Sequence, residues 1–175
     1  MEKKTKKSRS DLILEEARRL REEKKIIDVD EETVKLVFIK LSGKMYAFYG
    51  ADIKEILTLE KITFVPGTSD YILGVINVRG EIESVIDLAK IIGITTGSAD
   101  RKGRIALAEK NGIRTGIFVD SVEDMIDTPV SLLRPPLSSL SKNIAPFVSG
   151  GIEHKGIEAA ILDMGKITAR LTDEQ

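Results

Sequence analysis

From Val34 onward, apolar and polar residues alternate with the period of a strand, and the residues before it lack that rhythm. The run "VKLVFIKLSGKMYAFYG" holds two β-rich stretches around Ser42, Gly43 and Lys44, and the glycine supplies the positive φ that a tight hairpin turn needs. Further strand-like runs follow at short intervals: "ITFVP", "LGVINV", "EIESVIDL", "GRIALAE", "GIRTGIFVDSVEDMI", "PFVSGGIEH" and "GIEAAILD". The links "SGK", "RGE", "EKNG" and "EHKG" are short and rich in glycine or charge. Helical apolar spacing is confined to "DLAKIIGI" and "DMGKITARL". Many short strands in close succession predict antiparallel sheets closed into small barrels or a sandwich. The links are too short for the helical crossovers of a doubly wound parallel sheet. The expected class is mostly β.

Residues 1–33 differ in kind. They hold ten Lys and Arg against ten Asp and Glu, with no glycine and no aromatic residue, which is not core material. Ser10 or Asp11 can cap a helix there, and Ile13, Ala17 and Leu20 fall on one helical face. A lone helix of about 15 residues is marginal in water. The segment is therefore expected to be a charged N-terminal extension, either a solvated tail or a helix that docks on a partner or on the body. The folded domain is expected over residues 34–172.

Composition narrows the function. At 175 residues and 42% hydrophobic, the chain can bury one good-sized core or two small ones sharing an interface. Its 27 Lys and Arg nearly cancel its 28 Asp and Glu, so no overall basic field exists to hold nucleic acid or an anionic membrane. The absence of cysteine excludes a disulfide framework, a thiol nucleophile and Cys-ligated metal sites. Acidic residues interrupt the apolar ones in "DLILEEARRL", so it is no signal-peptide core, and no stretch approaches the roughly 18 apolar residues of a membrane span. The expected location is the cytoplasm.

Candidate chemistry is sparse. The single histidine, His154, falls in the turn-like "EHKG" and reads as a solvent-exposed residue. The glycines of "GTSDYILG" and "GSADRKGR" lack the Gly-Lys-Ser/Thr ending of a phosphate loop. Asp120, Glu123, Asp124 and Asp127 cluster in "VDSVEDMID", but their spacing matches no calcium loop and reads as a solvated face. Tyr46, Phe48 and Tyr49 share one strand with only Lys44 nearby, which suits core packing better than RNA stacking. No catalytic residue, metal site or cofactor is expected. Elimination leaves a protein that binds other proteins.

One stretch carries more. "GVINVRGEIESVIDL", residues 74–88, places Arg79 beside Gly80 between two runs that otherwise suit a core. It resembles the signature of the CheW family, approximately GV-(I/T)-N-(L/V)-RG, a few apolar residues, then P-(V/I)-(V/I)-DL. The hairpin "LVFIKLSGKMYAFYGADIKEI", then "GIFVDSVEDMI", "LLRPP" and "PFVSGGIEHKGIEAAILDMGKI" fall in the family's order and approximate spacing, so the resemblance covers about residues 34–171.

The resemblance implies two packed five-stranded SH3-like barrels with short helices and no enzymatic activity. It implies a chemotaxis adaptor with one surface for the regulatory domain of the histidine kinase CheA and another for the cytoplasmic tip of a methyl-accepting chemoreceptor. Position by position, the receptor groove would include Ile53, Gly74, Asn77 and Arg79, with the family's glutamate at Glu55. Two positions depart from the pattern: Ser84 stands for the signature's proline, and Tyr49 for an acidic residue after the hairpin. Both bear on the kinase-facing edge, whose residues the sequence does not identify. The regulatory CheW-like module of a CheA-type kinase, or a related non-catalytic scaffold, would share the fold and the signature. The start at Met1 without a preceding catalytic domain favours an independent protein.

Physically, an arginine held between two rigid strands loses little entropy on forming a forked hydrogen bond, and arginine is enriched at interface hot spots. The alternative is that Arg79 only caps its hairpin and pairs with Glu81 in solvent.

Overall fold

Leu36, Val37, Phe38 and Ile39 are all fully buried, although successive side chains of a strand point to opposite faces. Their strand, β1 (Thr33–Leu41), is covered on both sides. The computed structural model describes residues 31–58, 61–95 and 102–173, so the expected extension over residues 1–33 lies almost wholly outside the described residues. After β1 come β2 (Lys44–Tyr49), β3 (Ile53–Thr58), β4 (Ile72–Val78) and β5 (Glu81–Asp87). Then follow β6 (Arg104–Lys110), β7 (Ile113–Val119), β8 (Ser121–Pro129), β9 (Val148–His154) and β10 (Ile157–Leu162). Helix α1 (Leu88–Ile91) follows β5, and α2 (Met164–Thr172) follows β10.

The strands form two five-stranded sheets, as expected: a first in the order β8-β1-β2-β10-β9 and a second in the order β3-β6-β7-β5-β4. Val37, Ile39 and Leu41 of β1 meet Ala106 and Ala108 of β6 and Ile117 and Val119 of β7 in a core shared by both sheets. Leu36 and Phe38 point the other way, into a cluster made by the first sheet alone. Ile105, Leu107 and Phe118 do the same within the second. Each large side chain removed from water contributes about 1.5–3 kcal/mol, and the double coverage explains why β1 reads as a continuous apolar run.

Four hairpins turn on two residues with positive φ, the pattern of a type I′ turn: Ser42-Gly43, Arg79-Gly80, Asn111-Gly112 and Lys155-Gly156. All four fall in the short links "SGK", "RGE", "EKNG" and "EHKG" expected between strands from the sequence.

Three expectations need correction. The sheets are not wholly antiparallel: β2 pairs β10 and β5 pairs β7 in parallel, because these strands are brought together by long connections rather than by turns. "ITFVP" shrinks to a single bridge in which Thr63 and Val75 exchange backbone hydrogen bonds of 2.8 Å, just before Pro66 removes a donor. "GIRTGIFVDSVEDMI" is two strands in different sheets, broken at Asp120. There the Asp120 amide donates to the Lys40 carbonyl at 3.0 Å, and its carboxylate accepts the Ser42 amide at 2.6 Å. Those bonds fasten the chain to the β1–β2 turn as it crosses from one sheet to the other.

The two sheets repeat one plan at the level of register. In each, one hairpin (β1–β2 or β6–β7) joins a second (β9–β10 or β4–β5) through one parallel pair, and a fifth strand (β8 or β3) lines the outer edge. The fifth strand carries a bulge in both cases: Glu55 faces Leu107 beyond the irregularity at Lys54, and Asp124 faces Phe38 beyond the one at Glu123. Gly74 and Gly150 occupy matching places after bulges, and the bridges Thr63↔Val75 and Arg134↔Gly151 also correspond. Asp87 and Asp163 then cap the two helices, each accepting backbone amides two and three residues on.

Candidate partner-binding groove

Hydrogen bonding leaves β3 and β4 as the two edges of the second sheet, and the space between them is a groove of about 300 Å³. Its walls are Glu55, Ile56, Leu57 and Thr58 on one side and Ile76, Asn77, Val78 and Arg79 on the other, with Ile105 between them. The apolar residues come from a β pattern that needs an inward face, and Glu55, Asn77 and Arg79 gather at the hairpin end while Thr58 lies at the other.

Arg79 takes the first turn position with φ +54, a conformation that L-residues adopt sparingly. Gly80 takes the second with φ +93, and its amide donates to Asn77 Oδ1 at 2.8 Å. Asn77 therefore fixes the turn while it lines the groove. Arg79 Nη2 donates to Glu55 Oε1 at 2.8 Å, crossing from one edge strand to the other. The bulge at Lys54 sets Glu55 in this position, the usual effect of an extra residue on the aim of a side chain. Arg79 does not pair with Glu81, whose carboxylate is held by Arg114 at 2.6 Å.

Of the five residues expected at the groove, Glu55, Asn77 and Arg79 come together there. Ile53 is only partly buried, but it packs against the shared core. Gly74 is buried, and a Cβ built on it would lie 2.2 Å from the Thr63 carbonyl oxygen. It permits the close crossing of the Thr63 segment and forms no part of the groove wall. At the departures from the signature, Ser84 Oγ lies 2.9 Å from Thr115 Oγ1, and Tyr49 packs against the core of the first sheet.

The remaining candidates are also placed. His154 ends β9 rather than sitting in a turn, and its ring stacks on Phe38 with centroids 4.2 Å apart. One ring nitrogen is 3.1 Å from Asp124 Oδ2, so this histidine is largely enclosed, contrary to the sequence expectation. The acidic cluster is paired as well as solvated: Asp124 also accepts Lys155 at 2.9 Å, and Asp127 meets Lys35 at 3.0 Å. The Lys155 ammonium, the Met125 amide and His154 hold the Asp124 carboxyl below the usual carboxylate range, against the effect of desolvation. Among the described residues, no three of His, Cys, Asp or Glu are placed to hold a metal ion. No described helix is long and apolar enough to cross a membrane.

The sequence reading missed that Lys155 stands over Asp124 as Arg79 stands over Glu55. A signal was present: "GEIESVIDLAKI" and "GIEAAILDMGKI" each place a glycine seven residues before the capping aspartate, and a lysine three after it.

Several known proteins are similar. The chemotaxis protein CheW of Bacillus subtilis is 36% identical over 92 residues, 53% of this chain and 59% of that protein. Protein PilI of Pseudomonas aeruginosa is 26% identical over 111 residues, 63% of this chain and 62% of PilI. The chain thus spans less than two thirds of the length of either. The chemotaxis protein CheW of Thermotoga maritima is 29% identical over 133 residues, covering 76% of this chain and 86% of that one. The crystal structure of scaffolding protein TtCheW from Thermoanaerobacter tengcongensis superposes with a TM-score of 0.68 at 30% identity, covering 75% of this chain and 90% of that one. The family model described as the CheW-like domain matches residues 35–171, most of the sequence, and the chain belongs to that family.

Proposed function

We propose that this chain is a cytoplasmic, non-catalytic adaptor in chemotaxis-type signalling, joining the cytoplasmic tip of a chemoreceptor to the regulatory domain of the histidine kinase CheA. The observation that carries the reading is the groove between β3 and β4, where the signature's Arg79 is held across an apolar floor by Glu55. Related proteins named for chemotaxis, and a solved relative described as a scaffolding protein, support the same reading. Receptor contact is assigned to Glu55, Asn77 and Arg79, with Ile53 and Gly74 shaping the strands that carry them. A largely exposed guanidinium on a rigid turn suits reversible recognition of a partner's carboxylate or carbonyl.

Isothermal titration of the full chain against a receptor-tip fragment, and separately against the CheA regulatory domain, tests the proposal. Each is expected to bind with a Kd of roughly micromolar order, as suits interfaces that assemble and separate. Binding to neither would overturn the adaptor reading. Binding to the receptor fragment alone would restrict the function to receptor recognition and implicate the departures at Tyr49 and Ser84.

A further inference from the structure

Glu81 is the nearest acid to Arg79 along the chain, at the first position beyond the turn, and its side chain is 67% exposed. An ion pair between the two would close over one glycine, with less chain to order than the bond to Glu55, 24 residues away. Exposed pairs hold little energy, so a small difference decides which carboxylate Arg79 faces. Yet Arg79 crosses the groove to Glu55.

The reason lies on β7. Arg114 Nη1 donates to Glu81 Oε2 at 2.6 Å, and its Nε lies 3.0 Å from Glu83 Oε1. Glu83 is only 7% exposed, opposite Ile76 of the groove wall, and a carboxylate so enclosed has to keep a cation. That need fixes the guanidinium, whose fork then reaches Glu81 as well. The parallel ladder between β5 and β7 begins at Val85 and Gly116, and ahead of it Thr115 Oγ1 donates to the Ser84 carbonyl at 3.2 Å. Arg114 thus acts from a strand already fastened to β5.

The first sheet supplies a comparison. Counting from the capping aspartates Asp87 and Asp163 and from the matched turns, Ile157, Ala159 and Met45 take the places of Glu81, Glu83 and Arg114. There the turn cation has no acid at the first position beyond its turn, and Lys155 Nζ crosses to Asp124 Oδ2 at 2.9 Å without an arginine at the place of Arg114. A rival carboxylate and a residue that holds it occur together, in the sheet that carries the groove. The signature runs apolar where this chain has Glu81 and Glu83, so the resemblance implies neither.

We propose that Arg114 is a positioning residue for recognition at the groove: by holding Glu81 and Glu83 together it denies Arg79 its nearest carboxylate and sets that guanidinium across the mouth, toward Glu55. The inference rests on the reading of the groove as the receptor site. Without Arg114, Glu81 competes for Arg79, and affinity falls with the fraction of molecules that keep the crossing arrangement. If Glu81 captures between about half and four fifths of them, binding weakens about twofold to fivefold.

The test combines calorimetric titration of the full chain against a receptor-tip fragment with the NMR signal of the Arg79 Nε–H group. Arg114→Lys keeps a cation beside Glu83 but gives up the fork, and is expected to weaken binding about twofold to fivefold and to shift the Arg79 signal. Adding Glu81→Ala should restore both, which a mere loss of stability would not allow, and Glu81→Ala by itself should bind as the parent does. If Arg114→Lys does not fold, Arg114→Met with Glu83→Gln frees Glu81 without leaving a buried charge. Unchanged affinity and signal in the folded Arg114 variants, or losses that Glu81→Ala does not restore, would overturn the proposal. Arg79→Ala is the separate control: full affinity there would sink the receptor reading of the groove, while the Arg79 signal in the Arg114 variants would still decide whether Arg114 positions it.

Discussion

Arg79 Nη2 and Glu55 Oε1 meet at 2.8 Å and join the two strands that the second sheet leaves at its edges. The arginine side chain is 80% exposed and the glutamate 31%, so the pair itself is worth only about 0–1 kcal/mol to the fold. Its importance lies in presentation: a type I′ turn and a bulged strand, both rigid, hold a five-donor cation at the mouth of a groove of mixed polar and apolar lining.

Arg79→Ala should therefore fold with nearly unchanged stability, within about 0.5 kcal/mol, because no core contact is lost. Affinity for a receptor-tip fragment should fall by about 1–3 kcal/mol, the usual range for a hot-spot arginine. In a double-mutant cycle, Glu55→Ala should be non-additive with it by at least about 0.5 kcal/mol, since the two side chains touch. Thermal denaturation and titration calorimetry on the four proteins measure both halves. A folded Arg79→Ala protein with full receptor affinity would return the residue to a plain hairpin cap.

Gly74 and Gly80 make a matched test of what the signature's glycines do. Gly74 has φ +141, and an added Cβ would meet the Thr63 carbonyl oxygen at 2.2 Å, backbone that cannot give way cheaply. Gly80 has φ +93 with nothing within 4 Å of the added atom. Gly74→Ala is expected to lose about 3 kcal/mol or more through clash and strain together, and Gly80→Ala only about 1–2 kcal/mol from strain alone. Urea denaturation midpoints compare them directly. Equal losses would show that the Thr63 crossing is not what demands a glycine at Gly74.

Most of the strands were legible because each is short, strongly patterned and bounded by a Gly-containing turn whose chemistry is local. The hairpin at Ser42-Gly43 and the helices after Asp87 and Asp163 follow from residues within a few positions of each other. The break at Asp120 was not legible, since its cause is a pair of bonds to Lys40 and Ser42, far back in the chain, while the β pattern runs on unbroken. At the groove, Asn77, Arg79 and Glu55 were accessible through the resemblance to the family. The Arg79–Glu55 bond spans 24 residues and depends on which strands become edges, a property of topology rather than of local pattern. His154 was misread because its neighbours Lys155 and Gly156 do form a turn, and only the stacking against Phe38 reveals that the ring lies one residue inside the strand.

Lys110 and Asp52 supply a test of the scaffold behind the groove. Lys110 Nζ donates to Asp52 Oδ1 at 2.8 Å, tying β6 to the short turn that leads into β3. Asp52 is only 5% exposed, and this hydrogen bond, reinforced by the attraction of its charge, holds the lysine above its usual range. A group whose folded pKa is raised contributes stability that is complete below its unfolded value, about 10.4, and is lost as the pH climbs through the folded one. The contribution is thus fully present at neutral pH and disappears only in alkali. Lys110→Met should be less stable than the parent at pH 7, because it leaves the Asp52 carboxylate buried without its cation, and the gap should narrow above about pH 10.5. Adding Asp52→Asn to Lys110→Met should recover part of the loss, since neither charge then lacks a partner. Urea midpoints for the three proteins from neutral pH to about pH 11.5 decide it. A gap of constant size across that range would mean that Lys110 acts through the packing of its methylenes, and that the ion pair does not hold β3 in place.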